Sequence, residues 1–198
     1  MARAIAAKLG VEAEIIEAPW ESLFAGLDSG RYDLVINGVE ITEEREEKYD
    51  FSVPYGYIHT ALIVKTDNKE IKTFEDLKGK STVNSLGSTY MELAEKYGAS
   101  AAGVSTLAET LTQVLQGRVD ATLKADVSFY DYMNQHPDAA LKIACVTDEA
   151  SSVAIPMRKG DDDAALRDAV NSAVAALLED GTIAELSQTY FGSDITMK

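Results

Sequence analysis

Residues 36–55 read INGVEITEEREEKYDFSVPY, and they join a buried strand to an anion site. Just upstream, Asp33-Leu34-Val35-Ile36 is a short apolar run following Gly30, the pattern of a central strand. Asn37-Gly38-Val39-Glu40-Ile41 leaves that strand in small and polar residues, where backbone can approach a ligand closely. Thr42 stands as the N-cap of a helical turn, Glu43 to Lys48, that carries Arg45. Arg45 is the only cation within TEEREE. Two readings of it are open at this point. In one, a solvated helix pairs its arginine with neighbouring glutamates, which adds little to stability. In the other, a planar guanidinium is held out to grip a carboxylate in two-pronged fashion.

Around this stretch lies a chain of 198 residues, enough for one large domain or two small lobes with a real core. Its 46% hydrophobic and 26% charged residues are those of an ordinary globular protein without low-complexity tracts. A net charge of −15 excludes nucleic acid as the expected partner, because phosphates would be repelled. The single cysteine, Cys145, allows no internal disulfide, and it lies in the apolar run Leu141–Val146 as a small hydrophobe. No run of residues approaches the ~20 apolar positions of a membrane span. Metal and cofactor chemistry find no support either. His59 and His136 are the only histidines and sit in no metal-ligand or nucleophile–base spacing. Asp161-Asp162-Asp163 precedes a helix as favourable N-terminal charge, and no glycine-rich phosphate loop occurs.

Read in order, the chain opens with a helix carrying Ile5 and Leu9 and closed by Gly10. Val11, Ala13 and Ile15 alternate with glutamates as a strand. Pro19-Trp20 opens a helix with Leu23, Phe24 and Leu27 inward. Ala61–Val64 is a buried strand. A second unit follows from Lys69: Thr73 caps Phe74–Leu77, Ser81–Val83 is a strand, and Gly87-Ser88-Thr89 opens a helix to about Tyr97. Gly103-Val104 is a short strand, Ser105 caps the helix bearing Leu107 to Leu115, and Val119–Leu123 is a strand. Val127–Met133 is a helix stopped by His136-Pro137. Val153–Met157 is one strand, and helices Ala164–Leu178 and Ile183–Tyr190 finish the chain.

One unit occurs twice: helix, G-R-x-D, strand. Gly30, Arg31 and Asp33 correspond to Gly117, Arg118 and Asp120. This echo suggests two related βα units, one per lobe, although G-R-x-D is also a common helix-to-strand turn. Under both readings these arginines and aspartates are structural.

The pattern G-x-x-I-T-x-x-R…Y-D-F-S-x-P-Y, carried here by Ile41, Thr42, Arg45, Asp50, Phe51, Ser52, Pro54 and Tyr55, resembles the family 3 solute-binding proteins, the polar amino-acid receptors of ABC importers. The resemblance covers nearly the whole chain, and NGVEITEERxEKYDFS with SFYDYM is most similar to the cystine-type receptors. It implies an α/β, type II periplasmic-binding-protein-like fold of two βα lobes. Lobe 1 would comprise residues 1–58 plus 155–198, and lobe 2 residues 59–154. Hinge crossings are expected at about 59–62 and 151–154. It implies an extracytoplasmic receptor, periplasmic or membrane-anchored, that captures a polar amino acid, cystine or similar, in the interlobe cleft for a membrane permease. Neither a cofactor nor a metal is expected.

The resemblance also assigns candidates. Arg45 would bind the ligand's α-carboxylate, helped by Ser88 and Thr89 of the G-[ST]-[ST] element, whose helix N-terminus is a ready anion site. On its own, GST is an ordinary N-cap. Many relatives place an ammonium-binding aspartate five residues after the G-R-x-D aspartate. Here that position is Ala125, and the carboxylate comes one residue later, at Asp126, where a strand end turns a side chain to the opposite face. Glu40, where many relatives carry Ser or Thr, is therefore inferred to supply the counter-charge; the other reading is a solvated strand-end glutamate. Trp20 matches a pocket-lining position, or is core. Tyr90 and Lys124 are further candidates, Lys124 for a ligand carboxylate or for a pair with Glu40. Asn37 and Gly38 would offer backbone.

Set against the resemblance, the family's signal segment, first strand and the loop after it are missing from this sequence, Met1 to Ala6 reading as the interior of the first helix, so lobe 1 is expected to lack its first strand. From this, either a homo-oligomer that fills the gap by strand exchange or a monomer with an altered lobe 1 and weak ligand binding is expected. Two other functions stay open on the same scaffold: an enzyme, such as a cyclohexadienyl dehydratase-like lyase, and the sensing domain of a larger receptor.

Overall fold

The computed structural model describes residues 1–198, which divide into two compact units. Met1–Ala18, Ser22–Ile58 and Ala150–Lys198 form unit 1; Pro19–Glu21 and His59–Glu149 form unit 2. The chain passes between them at 18/19, 21/22, 58/59 and 149/150.

Unit 1 begins with α1 (Ala2–Leu9), ended by Gly10 in the left-handed conformation that glycine adopts without strain. It contains the body of α2 (Trp20–Asp28), β1 (Val39–Glu40), α3 (Glu43–Lys48), β2 (Tyr49–Phe51) and β3 (Gly56–Ile58). Its strands are completed by segments from the far end of the chain. In α7 (Ala164–Glu179), Val170, Ala173, Val174 and Leu177 repeat at helical spacing and are all buried; α8 (Thr182–Phe191) comes after it.

Unit 2 holds β4 (Thr60–Lys65), β5 (Ser81–Ser85), α4 (Thr89–Lys96), β6 (Ser100–Val104), α5 (Leu107–Leu115), β7 (Thr122–Ala125), α6 (Asp126–Gln135) and β8 (Leu141–Val146). β4 lies between β7 and β8, antiparallel to both, and β5 runs parallel to β6. A parallel bridge from Thr82 to Ala121 joins the two groups of strands. Because β4 is buried on both faces, its residues alternate between two cores. Leu62 and Val64 pack with Phe74, Leu77 and Leu123 on one face, and Ala61 and Ile63 with Leu111, Val114 and Phe129 on the other.

Several expectations are corrected. Residues 11–16 and 33–36 form no strand. A strand persists only as one side of a ladder, and no segment of the chain pairs with either stretch. Val11 and Ile15 remain 60% and 57% exposed, whereas Val35 is buried without a ladder. The expected strand Val153–Met157 is two strands, β9 (Ser151–Ala154) and β10 (Pro156–Arg158). β9 pairs with β1 and β3, while β10 pairs with β2. Ile155 stands between them: its N–H donates to Ser52 Oγ, and its carbonyl accepts from Ser52 N–H, both at 3.0 Å. The cap of α5 is Thr106, whose Oγ1 accepts from Glu109 N–H, and Ser105 Oγ donates instead to Glu21. Phe74–Leu77 is a 3-10 turn, and β7 starts at Thr122 rather than Val119.

Candidate functional site

In unit 1, Thr42 caps α3 as its position requires, its Oγ1 accepting from Arg45 N–H at 3.3 Å. The cap fixes where Arg45 stands, and the carbonyl of Glu40 then fixes its guanidinium, accepting from Nη1 at 2.9 Å. The guanidinium lies 5.5 Å from the centroid of the Phe24 ring, and Phe24 packs on Tyr49 with centroids 5.0 Å apart. Tyr49 donates to Asp28 at 3.1 Å, and burial first, then that carboxylate, pushes its hydroxyl up to about 12. Glu44 pairs with Lys48 at 2.8 Å across one helical turn. Arg45 thus rests on an aromatic platform rather than trailing along its own helix.

Glu40 is 6% exposed, which overturns the reading of a solvated strand-end glutamate. Its backbone belongs to β1, opposite Val153. Asn37 and Gly38 are exposed. Gly38 has φ +58°, and its N–H donates to Tyr55 Oη at 3.0 Å, so that N–H is already used within unit 1. Burial holds the Tyr55 hydroxyl up at about 12, so it stays protonated. The D-F-S-x-P-Y motif is structural by its contacts. Asp50 pairs with Arg167 at 3.1 Å, Ser52 bridges to Ile155, and Tyr55 closes on Gly38.

In unit 2, Ser88 is the N-cap of α4: its Oγ accepts from Met91 N–H at 3.3 Å and donates to Ser85 O at 2.7 Å. Gly87, at φ +68°, makes the turn that presents this helix end. Trp20 clusters with unit 2, and its Nε1 donates to Gly87 O at 3.4 Å. Thr89 and Tyr90 begin α4 and are half-buried. Beside them, at the carboxyl end of β7, Lys124 is 4% exposed. Its Nζ donates to Ser85 Oγ and lies 5.8 Å from the Tyr90 ring centroid. Burial lowers its pKa to about 8. Ser85, Ser88, Tyr90 and Lys124 thus gather where β5 and β7 end, the edge at which open α/β sheets hold ligands.

Asp126 is occupied otherwise. Its Oδ1 accepts from Val127 N–H at 2.8 Å, at the start of α6, and from His59 N–H at 3.2 Å. It ties the beginning of β4 to α6.

Three residues, one in unit 1 and two in unit 2, are not singled out by the sequence as site residues. Phe24 reads there only as core, yet it lies four residues after Trp20 on α2 and supports Arg45; that spacing is the available signal. Ser85 carries no signal beyond its place at a strand end. Asn84 is fully buried and accepts from Leu123 N–H at 2.9 Å, holding β7 to β5. No group of three or more His, Cys, Asp or Glu residues is arranged to hold a metal ion, and no helix is long and apolar enough to cross a membrane.

Residues 1–193 match the bacterial extracellular solute-binding proteins, family 3. The L-cystine-binding protein TcyA of Bacillus subtilis is 38% identical over 192 residues, covering 97% of this chain and 70% of that protein. The L-cystine-binding protein TcyJ of Escherichia coli K12 is 38% identical over 202 residues, 98% of this chain and 73% of that one. Among solved structures, an ancestral arginine-binding protein bound to glutamine superposes with a TM-score of 0.89. It is 36% identical and matches 97% of this chain and 85% of its own. These neighbours have the type II periplasmic-binding-protein fold, and so does this chain. They are solute-binding receptors, not enzymes, which removes the lyase alternative. The chain belongs to the bacterial extracellular solute-binding proteins, family 3, and is an amino-acid-binding receptor of the kind that serves ABC transporters.

Proposed function

We propose that this receptor captures cystine or a similar polar amino acid outside the cytoplasm and delivers it to the permease of an ABC importer. The observation that carries the reading is Arg45: capped at its backbone, anchored by the Glu40 carbonyl and backed by Phe24, it is pre-organised for a carboxylate. In this reading Arg45 binds the α-carboxylate, and in unit 2 the amino end of α4 at Ser88 and Thr89 is an anion site suited to a ligand carboxylate. Glu40 takes the ammonium, because Asp126 is committed to backbone N–H groups. Trp20, Tyr90 and Lys124 face the ligand's side chain. The crossings at 58/59 and 149/150 are the hinge between the two lobes.

The cystine assignment draws support from the two cystine-binding relatives at 38% identity. A thermal-shift screen of the amino acids and cystine tests it. A ligand at 100 times its dissociation constant raises stability by about 2.7 kcal/mol, which is a readily measured rise in Tm. Cystine or another polar amino acid should give that rise. A screen in which no amino acid raises Tm overturns the proposal.

A further inference from the structure

Lys124 is a buried cation that its own unit does not neutralise. It is 4% exposed, its ammonium donates to a neutral acceptor, Ser85 Oγ, and the lysine–carboxylate pairs of unit 2, Lys65–Asp67 and Lys80–Glu70, are made by other lysines. Burying an ammonium with a neutral acceptor is costly, so such a group is retained where something else uses it. The Tyr90 face lies 5.8 Å away, which favours the charged form without supplying a counter-ion. Ser85 also fixes the neighbouring anion site, since its carbonyl accepts from Ser88 Oγ at the cap of α4. Unit 2 therefore presents two positive elements side by side: the amino end of α4 and the Lys124 ammonium. The position five after Asp120 is Ala125, and the adjoining carboxylate, Asp126, is bonded to His59 and Val127 N–H groups.

Building on the amino-acid reading above, we propose that Lys124 and Ser85 form a subsite for a second carboxylate on the ligand, so that the receptor selects amino acids carrying two acid groups. Glutamate, aspartate and cystine belong to this class. Their counterparts lacking the second acid group, glutamine, asparagine and the mixed disulfide of cysteine with cysteamine, do not.

The test is calorimetric titration of the native chain with each acid and its counterpart, repeated on Lys124→Met and Lys124→Gln. At least one acid should bind roughly tenfold tighter than its counterpart, the scale of a charged hydrogen bond, and both variants should bring that ratio to about one. Thermal melts report folding, and Lys124→Met should melt no lower than the native chain, because it removes a buried charge. Equal affinity of the native chain for acid and counterpart overturns the subsite and leaves the receptor assignment standing. A variant that weakens acid and counterpart by the same factor also overturns it, since Lys124 would then serve the carboxylate they share. Failure of the native chain to bind any amino acid overturns both readings.

Discussion

The turns at Gly30–Asp33 and Gly117–Asp120 start alike and lead to opposite ends. Both glycines have positive φ, +71° and +67°, and both arginines after them send their N–H back five residues, to Gly26 O and Gln113 O. These are the same helix-ending geometry. Past the turn the copies diverge. Asp120 accepts from Ser81 N–H and Oγ, and Ala121 N–H also donates to Ser81 O, so the chain enters β7 already bonded to β5. Residues 33–36 meet no ladder and run on irregularly to β1. The first path leads to a buried Lys124 and the second to a buried Glu40. Local sequence therefore sets the turn, while a neighbouring strand decides whether the chain beyond it becomes a strand.

The sharpest break of this comparison is at the core. Leu123 is fully buried in β7, and Leu123→Ala should cost about 2–5 kcal/mol in chemical denaturation. Leu34, half-buried and outside any sheet, should cost less than half of that when replaced by alanine. Equal costs would mean that the 33–36 segment is packed as firmly as its counterpart.

The charges differ next. Glu40→Gln should weaken amino-acid binding by about 1.5–3 kcal/mol, the scale of a hydrogen bond to a charged group. Asp126→Asn should weaken it less, because that carboxylate serves backbone N–H groups. Calorimetry that reversed this ranking would return the ammonium to Asp126.

A smaller effect depends on pH. Lys124 has its pKa lowered by burial to about 8, below the ordinary lysine value of 10.5. Only the protonated amine attracts a carboxylate, so the preference for two-acid ligands should fade as pH rises through and above about 8. The fall is at most tenfold per pH unit for one proton. The same shift acts oppositely on the ligand-free protein. Between about 8 and 10.5 the unfolded chain holds the proton that the folded one has released, so stability from this group rises with pH across that window. Lys124→Met should abolish both slopes, as read from titrations and melts at pH 7 and 9.

The smallest expected effect separates neighbouring hydroxyls. Thr106→Ala removes the cap of α5 and should cost about 1 kcal/mol. Ser105→Ala, which loses an exposed bond to Glu21, should cost a few tenths at most.

How much of this is legible in the sequence depends on the range of the deciding interaction. Caps and turns are local, so Thr42, Ser88, Gly10 and both G-R-x-D turns are readable from a few residues. Ser105 and Thr106 are not separable in that way, because adjacent hydroxyls carry the same signal. Strands are not local. Val11–Ile15 alternates as well as any strand, but alternation does not say whether a partner exists. The break at Ile155 is invisible because Ser52, which fills it, lies 103 residues away. Within the site, Arg45 stands out as a lone cation in an acidic run, whereas Phe24 reads only as core. The burial of Glu40 and the commitment of Asp126 to His59 need three dimensions.

The most direct test is Arg45. Titration calorimetry of the native chain and Arg45→Ala with the best ligand from the thermal screen measures its share of recognition. The account predicts saturable binding to the native chain and a loss of about 2–5 kcal/mol in the variant, at least tenfold in Kd, because the α-carboxylate loses its charged partner. Unchanged affinity in a folded Arg45→Ala would contradict it.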